Sequence, residues 1–377
     1  MVKGTKQTEI GMIPEDWEVK AIGDITEKLA GGGTPSRSIK EYWNGNIPWM
    51  TVKDFASFNG HSTQEYITEL GLKSSATRIV KASNLIIATR IALGKIVKYK
   101  VDVTINQDLK TITLSSEVNK DYFSYFYQSI ENKIIEKGSG STVLGLSIQD
   151  LYSFQIPLPP LPEQEAIAGA LSDADAWIES LEQLIAKKRL IKQGAMQELL
   201  TPKEKWEVKK LGEVCDSIAS GTSNTLNYGD VYPIQGSTGI IGFKNYFDYE
   251  GENLTVARVG ANAGYVRIIS GKYCVSDNTL LVKTKAKELT TSFLFYILRN
   301  KGLNHLVFGS GQPLITGGQL KELEVPLPSL TEQTRIATIL SDMDAELQAL
   351  EQQLHKARQI KQGMMQELLT GRMRLEL

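Results

Sequence analysis

The sequence predicts an α+β fold: two pseudo-twofold-related mixed α/β globes separated by an antiparallel pair of long coiled-coil helices. Three observations carry that expectation. The run Leu161 to Leu200 returns almost unchanged as Leu330 to Leu369, with Ile167 matching Ile336, Arg189 matching Arg358, and Ile191-Lys192-Gln193-Gly194 matching Ile360-Lys361-Gln362-Gly363. Apolar residues of the second copy, from Ile336, Leu340 and Met343 to Leu347, Leu350, Leu354 and Ala357, step by four and three, the spacing of a heptad seam. The tetrapeptide Trp17-Glu18-Val19-Lys20 recurs as Trp206-Glu207-Val208-Lys209, so the globular parts are duplicated as well.

Composition sets the bounds. A chain of 377 residues has room for two or three domains, and 41% apolar with 23% charged residues is an ordinary soluble balance. No window approaches the roughly 18 apolar residues of a membrane span. Met1 to Gln7 carries lysines with no apolar stretch behind them, so no signal peptide is expected. Two cysteines, Cys215 and Cys274, argue against a disulfide framework and for the cytoplasm. A formal charge of −1 excludes a polycation, so nucleic-acid binding requires local basic patches.

Taken in order, the expected parts are a first globe (1–155), a first helix (156–202), a second globe (203–324) and a second helix with a tail (325–377). Trp17 to Arg90 spans 73 residues and Trp206 to Arg258 spans 52 (90 − 17 and 258 − 206), so the first globe is the longer one. The excess and the divergence fall in Gly31 to Lys81 and Gly221 to Asn253. Leu85 to Tyr99, with a turn at Gly94, and Lys110 to Leu114 read as strands; Leu254 to Val259, Tyr265 to Ile269 and Thr279 to Val282 read likewise. Asp121 to Lys137 and Leu289 to Leu306 read as one amphipathic helix per globe. Glycine-rich turns, Gly138-Ser139-Gly140-Ser141 and Gly309-Ser310-Gly311-Gln312, precede the extended segments Ile156-Pro157-Leu158-Pro159 and Val325-Pro326-Leu327-Pro328. Each long helix then ends in Gln-Glu-Leu-Leu-Thr before a stopper, Pro202 or Gly371. The first helix delivers the chain to the second globe, and the second must run back to bury its seam, which makes the pair antiparallel.

At this point a resemblance becomes specific. The repeated Trp-Glu-Val-Lys, the variable globe, the Pro-Leu-Pro segment, and the Glu-Gln-x-x-Ile-Ala helix ending in Lys-Gln-Gly-x-Met-Gln-Glu-Leu-Leu-Thr resemble the specificity subunit of a type I restriction-modification system. The likeness covers essentially the whole chain and is strongest over Pro159 to Thr201 and Pro328 to Thr370, which resemble the family's spacer helices. The globes resemble its target-recognition domains, including Gly32-Gly33-Thr34-Pro35 and Ile47-Pro48-Trp49, which match Gly221-Thr222 and Tyr232-Pro233-Ile234 only loosely. The resemblance implies a subunit that reads a bipartite sequence in double-stranded DNA and docks two adenine-N6 methyltransferase subunits. Those would carry S-adenosylmethionine, and motor-nuclease subunits would join through the complex.

The residues themselves offer no such chemistry here. Leu158-Pro159-Pro160-Leu161 lacks the acceptor and aromatic of an amino-methyltransferase motif, and Phe308-Gly309-Ser310-Gly311 follows an expected helix without preceding another. Glu18 and Lys20, with Glu207 and Lys209, superficially fit a nuclease Glu-x-Lys, but their duplication at both domain starts reads as strand-edge polarity. Gly94-Lys95 lacks the rest of a phosphate loop. Cys215, Cys274, His61, His305 and His355 have no ligand spacing, so neither metal nor cofactor is expected.

DNA reading needs cations for phosphates and amides or arginines for base edges. The first globe offers Lys53, Arg78, Lys81, Arg90 and Lys98, and the second Asn224, Gln235, Lys244, Asn245, Arg258 and Arg267. Unequal loops on equivalent frames should read two unrelated half-sites, and helices of roughly 55 Å at about 3.4 Å per base pair set an upper bound of some sixteen pairs between them. Gly194 and Gly363 sit inside helices, where glycine costs about 1 kcal/mol relative to alanine. Either the two helices cross closely there, or these patches, with Met196 and Met365, receive methyltransferase helices. Competing readings are a non-enzymatic coiled-coil scaffold that binds proteins through its heads, and a stand-alone modification enzyme.

Overall fold

Leu85–Ala88 is buried at all four positions, and its side chains alternate between two cores. Leu85 and Ile87 join the main cluster of the first unit, while Ile86 and Ala88 face a second cluster with Met50, Tyr99 and Ile105. A strand covered on both faces must be central, since period-two alternation sends neighbours to opposite sides. The structure, a computed structural model, describes residues 4–140, 144–223, 229–308 and 314–375. Residues 141–143 and 309–313 fall outside it, and with them Ser141 of the first glycine-rich turn and the whole of the second, Gly309-Ser310-Gly311-Gln312. It divides into two units, Met1–Ser180 with Leu354–Leu377, and Leu181–Gln353.

In the first unit, Leu85–Ala88 lies in an antiparallel sheet ordered Thr26–Gly31, Leu109–Leu114, Leu85–Ala88, Ile96–Lys98. A second sheet is ordered Glu65–Ile67, Trp43–Met50, Val103–Ile105, Ile79–Val80, with the middle two strands parallel. The second unit repeats both. Its sheets run Cys215–Ser220, Thr279–Thr284, Asn253–Ala257, Val266–Ile269, and Ile240–Lys244, Tyr232–Gln235, Lys272–Val275, Tyr249–Glu250, with the one parallel pair in the same place. The loose sequence match therefore has a structural counterpart: Trp49 pairs Thr104 as Ile234 pairs Cys274. Glycine is required where the sheets meet, because a Cβ on Gly32 or Gly221 would lie 1.9 or 2.0 Å from the carbonyl oxygen of Ile105 or Val275. The first unit adds a hairpin, Thr5–Thr8 with Gly11–Pro14.

The repeated motifs pair with each other. Glu18–Ala21 runs antiparallel to Gln155–Leu158, and Glu207–Lys210 to Glu324–Leu327, so Trp-Glu-Val-Lys and Pro-Leu-Pro close each unit as a two-stranded ribbon. The Glu-Gln signature has a matching cause. Gln164 accepts from the Asn119 amide and donates to the carbonyls of Glu117 and Pro159; Gln333 accepts from Thr290 and donates to Glu288 and Pro328. Asn119 and Thr290 are the N-caps of Lys120–Ser129 and Thr291–Lys301, so one buried amide ties cap, loop and long helix together.

The long helices span Leu161–Leu200 and Leu330–Leu368. The apolar stripes, expected to bury against each other, also enter the globular cores at both ends. Ile167 and Leu171 enter the first unit's core, beside Leu368 and Leu369; Ile336 and Leu340 enter the second unit's, beside Leu200. Within the second unit, Lys188 pairs Glu346 at 2.5 Å and Lys192 pairs Asp344, numbers rising on one helix as they fall on the other, so these segments are antiparallel. A duplicated cluster fastens each globe to them. Tyr125 donates to Asp175 at 2.8 Å and Lys361 approaches the same carboxylate at 2.5 Å; Tyr296, Asp344 and Lys192 repeat the arrangement. The single helices expected over 121–137 and 289–306 are each broken, at Ile130 and at Gly302 with φ +61°.

Candidate nucleic-acid interface

Each globe exposes cations around the turn that ends its buried central strand. Arg90 lies just past Leu85–Ala88, in an isolated antiparallel bridge to Gly145, and donates to Asp108 at 3.2 Å. Arg258 occupies the corresponding turn and donates to the Asp277 carbonyl at 3.3 Å. Next to Arg90, the β-branched Ile91 holds φ +67° while exposed, a costly backbone state for such a residue. Lys81, largely exposed, pairs Asp102 at 2.8 Å and Lys98 pairs Asp121, the other three side chains being about half-exposed. Ion pairs this wet contribute little to stability, so their cations can exchange a carboxylate for a phosphate at small cost. Lys53 and Arg78 are exposed and make no ion pair among the described residues.

The second globe's residues are placed differently. Asn224 lies outside the described residues. Gln235 and Lys244 sit beneath the surface: Lys244 donates inward to Ser223 and Tyr246 at 2.9 Å each, and Gln235 leaves its Oε1 without a partner among the described residues. Arg267 is half-buried, with its Nη1 likewise unpartnered. Asn245 is exposed, its Oδ1 accepting from the Asp230 amide at 3.4 Å. Glu18 and Lys20 form an ion pair that extends to Glu117 at 2.6 Å, and Glu207, Lys209 and Glu288 repeat it, so the Glu-x-Lys triplets brace ribbons.

The four residues expected to dock a partner, Gly194, Met196, Gly363 and Met365, lie on the long helices. A Cβ at Gly194 or Gly363 would meet nothing within 4 Å, which removes the close-crossing explanation for both glycines. Met196 and Met365 pack partly against the cores of their units. Gln362, Met365 and Gln366 line a groove of about 390 Å³ in the first unit, closed on its other side by Phe126, Ile130 and Pro157.

Sequence reasoning missed a cleft of about 350 Å³ lined by Arg37, Trp43, Asn44, Gln64, Glu65 and their neighbours. It falls in the segment that makes the first globe longer. The Arg37 guanidinium lies 3.8 Å from the Trp43 ring centroid and is gripped by both Glu65 oxygens. That hydrogen-bonded pairing holds the Glu65 carboxyl below its ordinary range and raises Arg37 further. The signal was present in Ser36-Arg37-Ser38 between the glycine turn and Trp43, but only the pairing of distant Glu65 reveals it.

Among the described residues no helix is long and apolar enough to cross a membrane. The profile of the type I restriction modification DNA specificity domain matches residues 14–188 and 203–361. The MjaIX specificity subunit of Methanocaldococcus jannaschii is 37% identical over 180 residues, 46% of this chain and 41% of that one. The EcoR124I/EcoR124II specificity subunit of Escherichia coli is 32% identical over 183 residues, 47% of this chain and 45% of that one. The chain thus spans less than half the length of these two relatives, whereas the match to the MjaVIII specificity subunit of M. jannaschii, at 25% identity, covers 97% of this chain and 94% of that one. A crystal structure of a type I restriction-modification S subunit from M. genitalium shares the fold, with a TM-score of 0.66, 17% identity and 96% coverage of both chains.

Proposed function

Because the chain belongs to the type I restriction-modification DNA specificity family, we propose that it is the non-catalytic, cytoplasmic sequence-reading subunit of such a complex. Residues 1–155 read one half of an asymmetric duplex target and residues 203–324 the other. The helices in 156–202 and 325–377 set the spacing and dock two adenine-N6 methyltransferase subunits, through which motor-nuclease subunits join. The observation that supports this reading is a single sheet topology built twice with unlike loops: a short helix, Glu69–Lys73, follows strand Glu65–Ile67 in the first unit, whereas among the described residues of the second unit no helix lies between the corresponding strand Ile240–Lys244 and Tyr249–Glu250. Equal frames with unequal loops fit two unrelated half-sites and disfavour a palindrome.

Lys53, Arg78, Lys81, Arg90 and Lys98 supply phosphate contacts in the first half, with Asn245 and Arg258 in the second. Gln235, Lys244 and Arg267 shape the second globe's loops from beneath, and Gly194, Met196, Gly363 and Met365 mark the methyltransferase docking patches. The test is binding of duplex DNA by the complex reconstituted with methyltransferase subunits. Sequence-selective binding that weakens steeply with salt is expected. A protein scaffold would show no preference among DNA sequences.

A further inference from the structure

We propose that Arg37 reads a guanine edge in the half-site bound by the first unit, held ready for it by Glu65 and the Trp43 ring. The proposal rests on the reading above and names a specificity residue within it. Arg37 Nη1 and Nη2 each donate to a different oxygen of Glu65, the second at 2.9 Å, and the guanidinium carbon lies over the Trp43 ring, 3.8 Å from its centroid. Trp43 is itself fixed: its Nε1 donates to the Ser36 carbonyl at 3.0 Å, and its ring packs edge-on against buried Trp49, centroids 5.0 Å apart. The arginine is therefore immobilised before any ligand arrives, which removes most of the rotamer entropy a free side chain loses on binding.

What remains to donate decides what it can bind. Glu65 occupies the end of the guanidinium fork, leaving the side edge made by Nε–H and the second Nη2 hydrogen. Two parallel donors on one edge fit the O6 and N7 acceptors that guanine alone presents together in the major groove. A phosphate is the weaker candidate, because the Arg37 charge is already neutralised by a carboxylate in direct contact, and phosphate contacts draw chiefly on net charge. Directional hydrogen bonds survive that neutralisation.

The surroundings carry the same character. Strand Trp43–Met50 bulges between Trp43 and Ile47 where it pairs with Ile67, lifting Asn44, Gly45 and Asn46 out of register. Asn44 holds φ +60°, and a Cβ on Gly45 would lie 2.4 Å from the Ile67 carbonyl oxygen, so the bulge is enforced at both residues. Bulges of this kind re-aim side chains at sites. Exposed Asn44 and Gln64 put amides, the usual partners of adenine, on the same cleft as Arg37.

The experiment uses the full chain assembled with methyltransferase subunits, comparing the sequences methylated by wild type, Arg37→Ala and Glu65→Gln. For Arg37→Ala, discrimination at a single G·C pair of one half-site is expected to fall about tenfold to a hundredfold, with every other position and the salt slope of binding unchanged. Glu65→Gln should relax the same pair more weakly, and it decides the matter if Arg37→Ala lowers the melting temperature of the complex. An unchanged methylated sequence, or a uniform loss over all sequences with a salt slope smaller by about one, overturns the assignment of Arg37 alone. A wild-type complex that marks no bipartite sequence would instead overturn the reading on which it rests.

Discussion

Arg374 grips the buried carboxylate of Glu163 with two nitrogens, Nε at 2.9 Å and Nη2 at 2.7 Å. Trp17 adds an indole donor at 3.0 Å, and the remaining faces of the guanidinium hold Asp16 at 2.9 and 2.8 Å. The tail reaches this point by turning at Gly371, whose φ is +69° and where a Cβ would lie 2.3 Å from the Pro14 ring. The first unit is thus closed by the segment that follows the second long helix. Glu332, the repeat partner of Glu163, is partly exposed and forms its ion pair, among the described residues, with Arg335 on its own helix.

Arg374→Ala is expected to destabilise the first unit by about 2 kcal/mol, below the ~3–5 kcal/mol typical of breaking a fully buried pair because Arg374 is about a third exposed. Urea unfolding followed by tryptophan fluorescence measures it. Glu332→Ala should shift the second unit less.

The same clamp makes stability acid-sensitive. The hydrogen bonds from Arg374 hold the Asp16 carboxyl below its ordinary range. A depressed carboxyl contributes fully above its unfolded pKa of about 4 and loses that contribution as pH falls through the lower folded value. Melting temperature should therefore drop below about pH 4, and Asp16→Asn should flatten the drop while lowering stability at neutral pH.

Gln164→Ala and Gln333→Ala should each cost about 2–4 kcal/mol, since either strands one amide and two carbonyls in a buried site. The two losses should be similar, because the same three bonds are lost. Differential unfolding of the two variants checks both the size and the symmetry.

The paired substitution Gly194→Leu with Gly363→Leu should leave the protein as stable as wild type or up to about 1 kcal/mol more so, since the added side chains meet open space and leucine favours helix over glycine. Co-purification with methyltransferase subunits should fall sharply. Undiminished assembly by a folded variant would remove these glycines from the docking surface.

The repeats were legible because they encode contacts within short reach of a regular element. The duplicated run and its stoppers outlined both long helices, observed as Leu161–Leu200 and Leu330–Leu368, and the block around Lys192 and Lys361 recurs because each lysine completes a Tyr-Asp-Lys cluster. What the sequence hid depends on pairing between distant residues. Nothing local tells that Arg37 meets Glu65, that Lys244 turns inward to Ser223, or that Ile167 packs in a globe. Helix breaks at Ile130 and Gly302 were missed because the apolar period continues through them.

The measurement that tests the central claim most directly is the set of sequences methylated by this chain assembled with its methyltransferase subunits. Two unrelated half-sites separated by a constant number of unread base pairs are expected. A palindrome, one uninterrupted site or methylation without sequence preference would contradict the account.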